Sequence, residues 1–320
     1  MSDMSDRNFR AMLEAKWAEG KFVCVGLDPD WDKIPESVKA HARSNTPAGY
    51  SSAMKTIASF CNDIVEATKD IVCAYKPNIA FFEAMFADGL WALAETVRYI
   101  HKVAPDVPVI LDAKRADIGN TNAGYVRAAF EMLNVDAVTV HPYLGREALQ
   151  PFLDCADKGI IVLCRTSNKG AGEFQELFVH ICHEELLFLQ EVKVAPWSAG
   201  VGGDTTSLCN HVAYQVSKYW NKNGNCALVI GATCPSELKS VRGIVGDMPI
   251  LIPGIGAQGG DVEETVKAGM DSRGQGMIIN SSRGIIFASS GSDFAAAARR
   301  ETLKLHDEIN KHRNTETDPR

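Results

Sequence analysis

The chain has 320 residues, 46% of them hydrophobic and 23% charged, with a formal net charge of −7 at pH 7. That apolar fraction supports a packed core and excludes a largely disordered chain, while no stretch reaches the ~20 uninterrupted apolar residues of a membrane helix. An acidic balance without a polybasic run argues against nucleic-acid or membrane-surface binding, yet leaves room for an anionic small molecule held by local geometry.

The opening Met1-Ser-Asp-Met-Ser-Asp-Arg7 has no basic stretch leading into an apolar one, so no secretory signal is expected and the location reads as cytoplasmic. The first strand is expected at Phe22–Leu27, followed by Asp28-Pro-Asp30. Tyr50–Thr68 carries Met54, Ile57, Ala58, Cys61, Ile64 and Val65 at helical spacing. The second strand, Val72–Lys76, ends in Lys76-Pro-Asn78, and a helical pattern follows over Glu83–Val103. The third, Pro108–Ala113, runs into Asp112-Ala-Lys114-Arg-Ala-Asp117-Ile118-Gly-Asn-Thr121. Tyr125–Leu133 reads as a helix and Ala137–Val140 as the fourth strand, ending at His141. Ile160–Cys164 is the fifth strand and leads to Arg165-Thr166-Ser167-Asn168.

Asn168–Ser207 is too long for one crossover helix and reads as an insertion on a rim, with Trp197-Ser-Ala-Gly-Val-Gly-Gly203 inside it. Beyond a helix at Cys209–Asn221 come the sixth strand, Cys226–Gly231, and the seventh, Pro249–Pro253. The latter leads to Gly254-Ile-Gly-Ala-Gln258-Gly-Gly-Asp261. Asp261 is the expected N-cap of a helix at Val262–Ala268, with Glu263 and Glu264 in its first turn. The eighth strand, Gly276–Asn280, is followed by Ser281-Ser-Arg283-Gly284, and the polar tail Asn314–Arg320 is expected to fray.

These strands are continuously apolar, as parallel strands covered on both faces are. Alternation with helices allows a doubly wound open sheet or a barrel; eight strands over roughly 250 residues favour an α/β fold of the (β/α)8 TIM-barrel type. With no Pro- or Ser-rich linker, residues 1–320 read as one barrel domain carrying the rim insertion. The nine cysteines are dispersed, without Cys-x-x-Cys, and several lie in apolar runs, which predicts reduced buried thiols.

Polar and charged residues gather at the C-terminal strand ends, where barrel enzymes build active sites. Asp112 and Lys114, two apart in an extended segment, point to one side. Lys76 ends the neighbouring strand, and Asp117 lies just beyond. Alternating charges keep each lysine protonated and can orient a general acid, although a rim salt-bridge network uses the same residue types. Gly254-Ile-Gly256-Ala-Gln258-Gly259 fits a dinucleotide-binding pattern. It comes too late for a two-half nucleotide fold, and Asn280-Ser281 stands where an acid should grip a ribose. A barrel phosphate site made by the last two loops fits better, with backbone N–H groups and a helix N-terminus as donors. Arg283 adds a charged fork and Gln258 an amide. His180-x-Cys182-His183-Glu184 fits no zinc spacing and reads as helix, so no metal is expected. His141 either packs or lines the pocket, and Phe81, Phe82, Phe86 and Trp91 read as core or interface.

In this order the motifs Gly26-Leu-Asp28-Pro-Asp30, Lys76-Pro-Asn78, Asp112-x-Lys114-x-x-Asp117, Pro253-Gly-Ile-Gly-Ala-Gln258 and Asn280-x-x-Arg283-Gly284 resemble the orotidine 5′-phosphate decarboxylase family. The similarity is greatest to its longer branch, found in some bacteria and in malaria parasites, although segment 168–207 exceeds that branch's pattern. The resemblance implies conversion of orotidine 5′-monophosphate to UMP and CO2 without a cofactor, the last step of UMP synthesis. It implies that Lys114 protonates C6 of the pyrimidine, that Asp112 lies beside the substrate carboxylate, and that Lys76 completes the array. Asp117, with Ile118 and Thr121, would reach into the partner subunit's site of a homodimer. Asp28 and Asn78 would contact the ribose and the array, Ser167 or the adjacent Thr166 would read the pyrimidine amide, Gln258 and Arg283 would grip the phosphate, and Pro253 would contact the substrate. The length leaves no room for a fused phosphoribosyltransferase, so a monofunctional chain is expected. Magnesium-dependent sugar-phosphate enzymes of the same suprafamily share Asp-x-Lys-x-x-Asp, but Lys76 stands where a metal enzyme wants an acid. A non-catalytic nucleotide-binding barrel would need the phosphate grip and not the alternating charges.

Overall fold

The computed structural model describes residues 7–47, 51–194, 204–256 and 259–314. Among them, ten strands form: β1 Val23–Leu27, β2 Ala74–Pro77, β3 Ile110–Arg115, β4 Ala137–Val140, β5 Gly159–Arg165, β6 Phe178–His180, β7 Thr205–Ser207, β8 Cys226–Ile230, β9 Ile250–Pro253 and β10 Met277–Ser281. Eight of these build one parallel sheet in the order β2-β1-β10-β9-β8-β5-β4-β3. The ends meet through bridges Tyr75↔Val109 and Asn78↔Asp112, so the sheet closes into a (β/α)8 barrel. All eight strands expected from the apolar runs are present, shifted by at most two residues at either end. Their burial is near-continuous because the barrel interior fills one face and the helices cover the other.

The helix Phe9–Ala18 plugs the N-terminal end of the barrel. Phe9, Leu13 and Trp17 are buried, and the Trp17 indole donates to the Met277 carbonyl at 2.8 Å. This leaves the opposite end open for chemistry. The helix expected from Tyr125 starts at Gly119 and passes into a π-helical turn at Arg127–Met132. The sequence Gly119-Asn-Thr-Asn has weak helix propensity, but buried Asn122 clamps it, donating to the Ala148 carbonyl and accepting from the Asp117 N–H at 2.8 Å. Asp261 caps Val262–Gly269 as expected, accepting from the Glu264 N–H at 2.9 Å.

Segment 168–207 forms a short helix Gly172–Gln175, an antiparallel pair of β6 with β7, and a helix His183–Glu191 between them. His180 therefore lies in a strand and Cys182 caps the following helix, rather than both sitting within one helix. Residues 195–203, including the Trp197–Gly203 run, and residues 315–320 lie outside the described residues. Of the four aromatics read as core or interface, Phe82 is buried, whereas Phe86 and Trp91 are exposed.

Candidate active site

A cavity of about 470 Å³ opens at the C-terminal ends of the barrel strands. Nine of the residues expected at the site line it: Asp28 after β1, Lys76 on β2, Asn78, Asp112 and Lys114 on β3, Thr166 and Ser167 after β5, Pro253 on β9, and Arg283 after β10. Asp117, Ile118 and Thr121 do not line it, and His141 is not among its lining residues either. Gln258 lies outside the described residues.

At the centre, Lys76 Nζ donates to Asp112 Oδ2 at 2.9 Å and Lys114 Nζ to Oδ1 at 2.6 Å. Side-chain exposure is graded: 4% for Lys76, 12% for Asp112 and 49% for Lys114. Burial opposes charge on both partners of the inner pair. The Asp112 and Asp28 carboxylates nevertheless hold Lys76 above its ordinary ammonium value. Likewise, Lys76 and Lys114 overcome burial and keep the Asp112 carboxyl well below the usual carboxylate range. Lys114 is the outermost member of this array, positioned to meet a ligand.

Asp112 and Lys114 share the mouth for a different reason than alternation along an extended strand. The pairing of β3 with β4 shifts between Leu111 and Arg115, and Lys114 has φ +49°. The chain bulges there, which turns both side chains into the cavity.

Beside the array, Asp28 Oδ1 is buried and has no hydrogen-bond partner among the described residues. An acceptor so placed calls for a donor from a ligand, such as a sugar hydroxyl. Thr166 is committed within its own loop: its N–H donates to Gln175 Oε1 at 2.8 Å, its hydroxyl donates to Asn168 at 2.7 Å, and Gln175 Nε2 donates back to that hydroxyl at 2.9 Å. Arg165 is buried beneath, donating to the Thr166 carbonyl at 2.8 Å and pairing with Glu176. Gly231, at the end of β8, has to lack a side chain, since a Cβ there would lie 2.8 Å from that of Ser167.

The loop after β9 needs its glycines: Gly254, Gly256 and Gly259 have φ of +107°, +73° and +85°, a region hostile to side chains. In the helix that follows, the Asp261 carboxylate accepts the Glu264 N–H, and Glu263 and Glu264 add negative charge to the first turn, which disfavours an anion there. The expected helix N-terminus is not confined to this helix, since Arg283–Ile286, after β10, begins at the cavity with Ser282 as N-cap and no side-chain cap. The backbone of the glycine loop also faces an incoming anion, as does Arg283, which is exposed and has no ion-pair partner among the described residues.

Sequence reasoning missed the cavity floor. Leu163, Val229 and Leu251 supply apolar surface there, and Thr139 of β4 lies beneath Asp112. The floor residues are hidden inside apolar runs and face inward only because of strand register. Thr139 carried a signal, as the hydroxyl-bearing residue among Ala137, Val138 and Val140.

Fold and cavity together define a (β/α)8 barrel enzyme with its charged groups on the C-terminal face. The profile of the Orotidine 5'-phosphate decarboxylase / HUMPS family matches residues 21–300. An orotidine 5'-phosphate decarboxylase of Ralstonia pickettii (strain 12J) is 47% identical over 307 residues, covering 96% of this chain and 99% of its own length. The solved Leishmania donovani OMP decarboxylase superposes with a TM-score of 0.71 at 33% identity, covering 94% of this chain and 98% of that one. The UMP synthase of the same organism gives 0.75 at 35%, covering 96% of this chain, which spans 56% of that longer protein. The chain belongs to the orotidine 5′-phosphate decarboxylase / HUMPS family.

Proposed function

We propose that this chain decarboxylates orotidine 5′-monophosphate to UMP. The Lys76–Asp112–Lys114 array carries this reading, supported by near-full-length similarity to orotidine 5′-phosphate decarboxylases. In the reaction the C6–carboxylate bond breaks, CO2 leaves, and the electron pair stays on C6. No adjacent π system can take up that charge, so a fixed positive group has to stabilise it. Lys114, oriented by Asp112, stabilises the developing carbanion and delivers a proton to C6. Asp112 sits beside the departing carboxylate, and Lys76 keeps Asp112 ionised. Asp28 and Asn78 hold the ribose. Ser167, which lines the cavity, reads the base. Pro253, Gln258 and Arg283 form the phosphate side, whose binding energy helps to close the site.

The donor set does not suit a divalent cation, because both Asp112 oxygens accept from ammonium groups. That separates this chain from a metal-dependent sugar-phosphate enzyme.

The functional unit is a homodimer with composite sites. Asp117, Ile118 and Thr121 stand outside their own cavity, and Ile118 and Tyr143, on adjacent loops after β3 and β4, are 61% and 88% exposed. An isologous contact over these loops would carry Asp117 to the neighbour's mouth and cover the half-exposed Lys114. The chain works as one barrel domain in the cytoplasm. The test is incubation with orotidine 5′-monophosphate plus EDTA, following the loss of substrate absorbance. Full turnover in EDTA is expected, and absence of turnover in the intact protein would overturn the reading.

A further inference from the structure

Thr139 is buried, at 1% exposure, in the middle of β4, where its strand neighbours Ala137, Val138 and Val140 are apolar. A hydroxyl in such a place is unfavourable unless fully bonded. Thr139 Oγ1 makes three hydrogen bonds. It accepts from the Ala113 N–H at 3.0 Å and the Lys114 N–H at 2.9 Å, and donates to Asp112 Oδ1 at 2.9 Å. One donor and two lone pairs are all that a hydroxyl has. With both lone pairs taken by amides that cannot turn away, the proton has a single destination, the Asp112 carboxylate.

The same three bonds explain the local backbone. β3 pairs regularly with β4 at Ile110↔Ala137 and Leu111↔Val138, then rejoins only at Arg115↔Val140. Residues 112–114 thus stand opposite the single residue 139. In a regular strand successive amides point to opposite neighbours; here the bulge turns the adjacent Ala113 and Lys114 amides to the same side, and one side-chain oxygen of β4 serves both. Lys114 is left with φ +49°, a conformation that its Cβ disfavours and that persists only when the surroundings over-determine it. Lys114 is therefore tied at both ends, by its amide to Thr139 and by its ammonium to Asp112, and Asp112 is tied to Thr139 as well.

We infer that Thr139 is a positioning residue for decarboxylation, its hydroxyl fixing the Asp112 carboxylate and the bulged backbone that presents Lys114. This rests on the functional reading of the Lys76–Asp112–Lys114 array. Thr139 itself need not touch the reacting atoms; it acts through two groups that do. Misplacing a reacting group by an ångström can slow a step about 100-fold. Ground-state contacts to ribose and phosphate lie on other strands and should be untouched.

The test compares Thr139→Val, which keeps the shape without the hydroxyl, with Thr139→Ser, which keeps the hydroxyl. A second pair, Thr139→Ala against Thr139→Ser, differs by the hydroxyl alone and guards against poor folding of the valine variant. For each, kcat and KM for orotidine 5′-monophosphate, Kd for UMP, and Tm are measured. Thr139→Val and Thr139→Ala should lose about 10- to 100-fold in kcat, with UMP Kd unchanged within about threefold, and Thr139→Ser should keep most of the activity. A folded hydroxyl-free variant with more than half the parent kcat overturns the proposal. So does a serine variant as impaired as alanine, or failure of both hydroxyl-free variants to fold, which would make the role merely structural. Absence of turnover in the unmutated protein would instead refute the functional reading, so the two failures are distinguishable.

Discussion

Replacing Asp112 with asparagine keeps the volume and removes the charge between two lysines. The Lys76 ammonium, 2.9 Å away and 4% exposed, has nowhere else to find water. A unit-charge pair at 2.9 Å attracts by about 6 kcal/mol at an effective dielectric of 20. Most of that is offset by the desolvation both groups have already undergone, so the pair is weak evidence of net stability. Breaking it is different, because an asparagine amide has one acceptor oxygen for two ammoniums and turns a donor toward the other. Uncompensated buried charge costs about 3–5 kcal/mol. Asp28 also faces Lys76, and Lys114 can swing toward solvent, which puts the loss near the lower end. At about 2 °C per kcal/mol for a chain of this size, Tm should fall by roughly 6 °C.

Activity should fall further than stability. Losing one preorganised group costs about 100- to 1000-fold in kcat, and Asp112 also orients Lys114. The assay is steady-state decarboxylation followed by absorbance, with UMP affinity by calorimetry and melting by circular dichroism. UMP has no carboxylate at C6, so its Kd should change by less than about fivefold while kcat collapses, the mark of an interaction made mainly in the transition state. A folded Asp112→Asn protein with more than a tenth of the parent kcat would refute the reasoning. A Kd loss equal to the kcat loss would refute it too, since that would show general disruption of the site.

Lys114→Ala should abolish turnover and leave UMP binding nearly intact, because Lys114 acts chiefly on the developing carbanion; activity above a tenth of the parent value argues against this. Arg283→Ala should show the opposite weighting, a higher KM with a smaller effect on kcat. Added phosphite dianion should activate turnover of a phosphate-free substrate by the parent protein and hardly by the variant, and equal activation of both would remove Arg283 from the phosphate site. Mixing Lys114→Ala with Asp117→Ala under conditions that exchange subunits should restore about a quarter of the sites, since about half the dimers are mixed and each mixed dimer has one whole site. No recovery despite verified exchange would mean that Asp117 serves its own subunit.

The barrel was legible in the sequence because each buried parallel strand is an unbroken apolar run, and each run ends in polar residues at the one face left open. Asp28, Lys76, Asp112, Ser167 and Arg283 could be placed by that rule alone, since it depends only on where a strand stops. Tertiary structure decided what depends on a neighbouring strand. Asp112 and Lys114 meet through a bulge held by β4, not through alternation within β3. Leu163, Val229 and Leu251 become a floor only once the barrel closes and their register turns them inward. The Asp261 carboxylate was recognisable as a cap from the sequence, and the folded loop bears this out in its bond from the Glu264 N–H. Thr139 marks the boundary most sharply. Its sequence position marks a hydroxyl to be satisfied; its three partners, 25 to 27 residues away along the chain, exist only because β3 and β4 lie side by side.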